Sequence, residues 1–301
     1  MLWKNTEDGI TLEKNETREL GQYIPLHYHY HMLADKNRMG GFKTAIEHIV
    51  QPDDTVLELG SGTGVLSWFA AQTARKVYSV EYNMDLVDAS RRILSHNKNG
   101  ERVEVIHGDA FVFTPPEPVH VVICEMLHTG LLREKQMEVI NAFKMRYQAA
   151  FPGLPLPIFI PMGVLQAMQP VCHDFNYMGY YAPAIMFSDP YSIHPETVEL
   201  GDPTIYHQLI YDQPYPLECA WEGPITIKQA GRLNALRFIT KNVLAAAGTN
   251  IIDWHTQHII VPLAKELEVT AGQTLSISLS YPAGAPLSAL RPVINGNISV
   301  C

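Results

Sequence analysis

Two glutamates, Glu125 and Glu134, stand nine residues apart in the stretch CEMLHTGLLREKQM. Brought to one pocket, two carboxylates can accept from a guanidinium, which carries five N–H donors in a fixed planar fork. The same spacing is equally compatible with Glu134 capping a helix N-terminus and Glu125 ending a strand in solvent. A second pattern is VLELGSGTG, residues 56–64. Its Gly60, Gly62 and Gly64 let the backbone turn sharply and approach a ligand, and a helix starting there would present free N–H groups beside that ligand. No lysine follows the turn, so it is not a phosphate loop of the Walker type. Glu81 ends the next apolar run, KVYSVE, where a carboxylate accepts from two ribose hydroxyls. Asp109, in Gly108-Asp109-Ala110, is placed to accept from an adenine amino group.

These residues need elements to hold them. Phe42, Ala45, Ile46, Ile49 and Val50 fall on one helical face, which Pro52 ends. Thr55–Leu59, Lys76–Val80, Val103–Ile106 and Val119–Ile123 read as strands. Helical spacing follows the glycine turn at Val65, Leu66, Phe69 and Ala70, and recurs over Leu86–Leu94 and from Glu134 to Tyr147. Such alternation predicts a doubly wound parallel sheet with ligands at the carboxyl ends of its strands. After residue 150 the character changes: 16 of the 21 prolines lie there, and short β-type runs replace helical periodicity. Strands are expected at Pro157–Ile160, Val164–Met168, Ile225–Ile227, Leu236–Ile239, Ile259–Val261 and Leu275–Leu279. The segment Cys172–Tyr211 is rich in tyrosine, proline and histidine and has little periodicity. The expected division is therefore 1–52, N-terminal helices; 53–150, an α/β domain; and 151–301, a β-rich domain.

The 301 residues are 47% hydrophobic and 18% charged, as in a soluble globular protein, with a net charge of −9. That balance argues against a nucleic-acid partner and suits a cationic substrate. Four widely spaced cysteines form no CxxC pair, and the polar start lacks the apolar core of a signal peptide. No run approaches the ~20 apolar residues of a membrane helix. A reduced, cytoplasmic protein with no membrane partner is expected. His27, His29 and His31 alternate, but no carboxylate–histidine set completes a metal site, so a pocket-lining or capping role is preferred and no metal is expected. Tyr177, Tyr180 and Tyr181 read as an interface or packing feature, and Cys124 as a core residue rather than a nucleophile.

The glycine turn, Glu81 and the GDA triplet, in step on consecutive strands, look more like the class I S-adenosylmethionine methyltransferases than like NAD enzymes. The chain further resembles the protein arginine methyltransferase family. That family has two glutamates nine apart in a loop of the form SExMGxxLxxExML, the double-E loop, and Glu125 and Glu134 match it. Met126, His128 and Thr129 occupy positions where the family has aromatic and glycine residues. The family's MLxDxxR segment is similar to Met32-Leu33-Ala34-Asp35-Lys36-Asn37-Arg38. The resemblance implies that Arg38 pairs with the cofactor carboxylate, that Met32 lies by the sulfonium, and that His29 matches the histidine preceding the segment. Tyr23 survives from a YFxxY start, and Trp254 from a THWxQ loop in which Asp253 stands where the family has histidine. In the family that histidine pairs with the MLxDxxR aspartate, so Asp35 would here face another acid unless a neighbour such as His255 substitutes.

What the resemblance implies is an α/β fold: a Rossmann-like doubly wound methyltransferase domain, then a β-barrel domain with an inserted dimerisation arm at about 172–211. The cofactor is S-adenosyl-L-methionine, held by His29, Met32, Arg38, Gly60, Ser61, Gly62, Gly64, Glu81, Asp109 and Ala110. Glu125 and Glu134 are the expected catalytic residues, with Tyr23 and Trp254 on the acceptor side. The expected enzyme is a homodimeric methyltransferase acting on a guanidino nitrogen of arginine in a protein, a peptide or free arginine. The alternative is a small-molecule N- or O-methyltransferase on the same scaffold.

Overall fold

The structure is a computed structural model that describes residue 24, residues 26–294 and residues 297–298. Two helices come first, α1 (Leu26–Ala34) and α2 (Lys36–Ile49). Asp35 sits between them and caps α2, its side chain accepting from the Arg38 N–H at 2.9 Å. Such a cap satisfies one of the N–H groups that a helix start leaves unpaired.

The α/β domain follows as β1 (Thr55–Leu59), α3 (Val65–Ala71), β2 (Lys76–Glu81), α4 (Met84–Ser95), β3 (Val103–His107), β4 (Val121–Cys124), α5 (Gln136–Ala150) and β5 (Ile158–Ile160). All neighbouring strands are parallel, in the order β3-β2-β1-β4-β5. The chain order reverses direction between β1 and β4, the switch point beside which open sheets of this kind form their ligand crevice. β1 and β4 are buried along their whole length, which is why they read as unbroken apolar runs apart from Glu58.

The remaining chain is antiparallel. Long strands β6 (Gly163–His173), β13 (Gly231–Ala247) and β15 (His258–Val269) lie side by side in a seven-stranded sheet, and β12 (Glu218–Thr226) pairs with β16 (Thr274–Pro282) in a second one. The run expected at Pro157–Ile160 is β5 and joins the parallel sheet, so the α/β domain extends past residue 150. The other expected strands are present in the antiparallel half, each overlapping a longer strand whose alternate residues face outward. Four strands absent from the sequence expectation complete the sheet, two of them being β11 (Thr204–Ile210) against β6 and β14 (Asn250–His255) against β13. The segment 172–211 is itself largely sheet. β9 (Met186–Ser188) pairs with β15, and β10 (Thr197–Glu199) pairs with β6. Only the hairpin of β7 (Asn176–Tyr177) and β8 (Tyr180–Tyr181) stands apart as its own two-stranded sheet.

The largest apolar core does not stop at the domain boundary. Phe42, Ile46, Leu57, Ile123 and Phe143 of the α/β half share it with Val164, Tyr211, Leu244 and Trp254 of the β half. Among the described residues no helix is long and apolar enough to cross a membrane.

Candidate active site

One cavity opens at the carboxyl ends of β1, β2 and β4, under α1. The chain turns left-handed at Gly60, Gly62 and Gly64 immediately after β1. At Gly62, with φ of 54°, a Cβ would stand 2.5 Å from the His29 ring, so this position must be glycine for α1 to close over the turn. His29 is thereby fixed as part of the cavity wall, and burial, with Arg38 nearby, holds its pKa below the usual histidine value. Its Nε2 and the Ser61 Oγ are buried without a hydrogen-bond partner among the described residues, and both side chains line the cavity, which suits a polar ligand.

Glu81 ends β2 as the strand pattern requires. One carboxylate oxygen accepts from Gly62 N–H at 2.8 Å and the other from Asn83 N–H at 2.8 Å, so the residue also braces the glycine turn. Each oxygen keeps a lone pair for a ligand hydroxyl. Asp109 accepts from Phe111 N–H at 2.8 Å, and Ala110 lies beside it in the cavity wall. Met32 and Arg38 line the same cavity from α1 and α2.

The two glutamates converge there as well. Glu125 follows β4 directly; its carboxylate is 11% exposed and paired with the Arg38 guanidinium. Arg38 packs its guanidinium 5.7 Å from the Phe42 ring and 5.9 Å from the Trp254 ring. Glu134 also lines the cavity, and its carboxyl makes no hydrogen bond or ion pair with another described residue. Burial, reinforced by the Glu125 charge, raises the Glu134 carboxyl to about 8. α5 starts at Gln136 rather than at Glu134, and the residue in the N-cap position is Lys135, so Glu134 does not cap that helix. Neither glutamate therefore takes the structural role that its spacing alone allowed.

The loop between them is conformationally demanding. Gly130, Leu131 and Arg133 all adopt positive φ, two of them non-glycine residues in a region that is costly for them. The β half fastens it from two sides. Thr129 Oγ1 shares a 2.9 Å hydrogen bond with Thr256 Oγ1, and Gly130 N–H donates to Thr240 Oγ1 at 2.8 Å. Opposite, Gly284 N–H donates to Leu131 O and Arg133 N–H to Ala285 O, both at 2.8 Å.

Not every expected site residue reaches the cavity. Gly64 lies beneath it, where a Cβ would meet Ser90 Oγ at 2.5 Å; its role is close packing of α3 on α4. Trp254 is buried behind Arg38 against Phe42 rather than facing the cavity. Tyr23 lies outside the described residues, as does the His27 side chain. The two acids are not in conflict: Asp35 caps α2 while Asp253 pairs with Lys241 Nζ at 2.7 Å. Burial pushes the Cys124 thiol up, in keeping with a core residue rather than a nucleophile. Glu58 was missed by sequence reasoning, although a charge in the middle of TVLEL was a signal. It lies in the cavity wall, accepts from Ser67 N–H at 2.7 Å and is raised to about 8 by burial.

Comparison with known proteins points the same way. The family model of ribosomal RNA adenine dimethylases matches residues 26–145. An uncharacterized protein of Methanocaldococcus jannaschii is 28% identical over 268 residues, covering 88% of this chain and 95% of that protein. Protein arginine N-methyltransferase PRMT10 of Arabidopsis thaliana is 34% identical over 129 residues, which is 42% of this chain and 33% of the plant protein. Among solved structures, the Trypanosoma brucei PRMT1 enzyme-prozyme heterotetrameric complex with AdoHcy superimposes with a TM-score of 0.70. It is 18% identical, with 84% of this chain and 86% of that one covered. At that identity the agreement concerns the fold, including both the parallel sheet and the antiparallel domain.

Proposed function

We propose that the chain, which resembles protein arginine methyltransferases in fold and over 129 residues of sequence, is a divergent member of that family and methylates a guanidino nitrogen of arginine, free or within a peptide or protein. The observation that carries this reading is Glu134: a half-buried carboxyl that lines the cavity together with Glu125 and has no hydrogen-bond partner among the described residues. An acceptor left unpaired in a cavity wall favours a ligand that donates, and a second carboxylate beside it favours a cationic one. Glu125 already accepts from a guanidinium, that of Arg38.

The cavity residues fit S-adenosylmethionine. Glu81 and Asp109 are placed at consecutive strand ends for ribose and adenine, and the orphaned Ser61 Oγ and His29 Nε2 supply further polar contacts. Arg38 is the one Lys or Arg of the cavity wall among the described residues, and it suits the carboxylate of the amino-acid end. When bound, the cofactor supplies a methyl group made electrophilic by its sulfonium. The chain's own part is alignment. Glu125 and Glu134 hold the guanidinium by charge-assisted hydrogen bonds, which restrict its rotation and place one nitrogen lone pair toward the cofactor side. Glu134, with its raised pKa, is also suited to take up the proton that the nitrogen loses as it is alkylated.

An RNA adenine acceptor, as in the matched dimethylase family, is disfavoured by the net charge of −9, since binding to nucleic acid depends on neutralising phosphates. A small-molecule acceptor is the other reading, favoured by Met126, His128 and Thr129, which alter the interior of the glutamate loop. The experiment is transfer of labelled methyl from S-adenosylmethionine to free arginine, arginine-rich peptides, RNA and a metabolite mixture, with products located by mass spectrometry. Label on a guanidino nitrogen supports the proposal; label confined to acceptors without a guanidino group refutes it.

A further inference from the structure

Gln136 is an amide 1% exposed, at the first residue of α5 and two residues after Glu134. Its Nε2 donates to Cys124 O at 2.6 Å, and its Oε1 accepts from Met126 N–H at 2.8 Å and from Cys124 Sγ at 3.4 Å. Those two backbone groups flank Glu125 on either side. The β1–β4 ladder ends with the pairing of Leu59 and Cys124, so the sheet no longer holds the chain where Glu125 leaves it. The loop beyond has left-handed backbone at Gly130, Leu131 and Arg133, and such a path does not maintain itself without external ties.

We propose that Gln136 is a positioning residue: its amide sets where Glu125 stands relative to Glu134 by clasping the backbone on both sides of Glu125. The inference rests on the reading of Glu125 and Glu134 as the acceptor-holding pair. The clasp joins the start of the loop to its end through one side chain, so a shift of the amide changes the separation of the two carboxylates. Glutamine suits the place because one side chain both donates to a carbonyl and accepts from an N–H. A role confined to stability would lower the melting temperature yet leave the kinetic constants of the folded protein unchanged.

The test uses Gln136→Leu, which removes both bonds at similar volume, and Gln136→Glu, whose carboxyl reproduces the donor–acceptor pair only when protonated. Both are assayed well below their melting temperatures with an arginine–glycine peptide, S-adenosylhomocysteine affinity is measured by calorimetry, and crystal structures are compared with that of the wild type. In Gln136→Leu the Glu125 carboxylate moves by about 1 Å or more, and kcat falls roughly tenfold or further, the scale expected of such a misplacement. Cofactor-product affinity stays within about twofold, equivalent to less than ~0.5 kcal/mol. The kcat of Gln136→Glu, as a ratio to wild type at each pH, rises as pH falls. Wild-type Glu125 position and wild-type kcat in Gln136→Leu overturn the proposal. Should Gln136→Leu not fold, the structure and the pH-dependent ratio of Gln136→Glu decide in its place. A wild-type enzyme that methylates no guanidino acceptor refutes the arginine reading instead, and the crystallographic comparison still decides the role of Gln136.

Discussion

At the scale of single residues, the proposed role of Glu134 makes activity depend on its protonation. A guanidinium keeps its charge throughout the physiological range, so the residue holds it only when ionised. With the carboxyl at about 8, its ionised fraction grows close to tenfold per pH unit below pH 7, and kcat/KM should rise with that slope and level off above pH 8. The effect on stability has the opposite sign. The folded pKa lies above the unfolded one, so the folded state binds more protons between the two values, and stability falls as pH rises from about 4.5 toward 8. Replacing Glu134 by glutamine should flatten the kcat/KM profile and make the stability slope shallower, the remainder coming from Glu58, which is raised to about 8 as well. The same change at Glu134 or at Glu125 removes a charge-assisted hydrogen bond worth about 1.5–3 kcal/mol. Turnover should drop roughly tenfold or more, with S-adenosylmethionine affinity retained in Glu134→Gln. Wild-type rates in both variants, or a flat wild-type pH profile, would exclude the assigned roles.

Elements decide the cofactor site, because it is built from strand ends and from one turn closed by α1. Gly62→Arg places a side chain where the His29 ring stands, on a backbone with positive φ, so α1 must lift from the turn. Glu81→Ala removes the acceptor that braces Gly62 and Asn83 as well as the ligand's ribose contacts. Either variant should lose most of its S-adenosylmethionine affinity by calorimetry; unchanged affinity in both would refute the assigned site. These features were legible in the sequence because each is local: glycine after an apolar strand, an acid at the end of the next, an aspartate after the third. The double-E pair was legible only as a spacing. The fact that separates its acceptor role from helix capping, the start of α5 at Gln136, depends on the fold. Thr240, Thr256 and Gln136 left no trace, since their partners are backbone groups and side chains that sequence distance does not reveal. β11 and β14 were missed because edge strands with one exposed face carry too few apolar residues to stand out. The arm segment read as irregular for a related reason: β9 and β10 have three residues each, and they pair with strands that begin outside the segment.

For the whole molecule, the question is what covers the hairpin of β7 and β8. Tyr177, Tyr180 and Tyr181 are exposed, and Met178 at its tip is fully so, a concentration of apolar surface that a monomer rarely leaves to water. We expect a homodimer formed through this part of the 172–211 segment. Sedimentation at tens of micromolar, where an association of about −6 to −7 kcal/mol is visible, should show a dimer that becomes a monomer when residues 176–181 are replaced by a short polar turn. A wild-type monomer under those conditions would exclude the assembly. The apolar core shared by the two halves has a separate consequence. Val164, Tyr211, Leu244 and Trp254 pack with Phe42, Ile46 and Ile123, so the two halves share an interior, although the β half also has a core of its own around Leu236, Phe238 and Ile277. Calorimetric melting should therefore give a single heat-absorption peak with matching calorimetric and van't Hoff enthalpies once assembly is accounted for. The parallel sheet cut off after residue 161 should remain a poorly packed species that binds hydrophobic dyes. Recombination between relatives would obey the same constraint: a chimera that exchanges the β half must carry α2 with it, because the seam of inheritance follows the packing rather than the order of the chain.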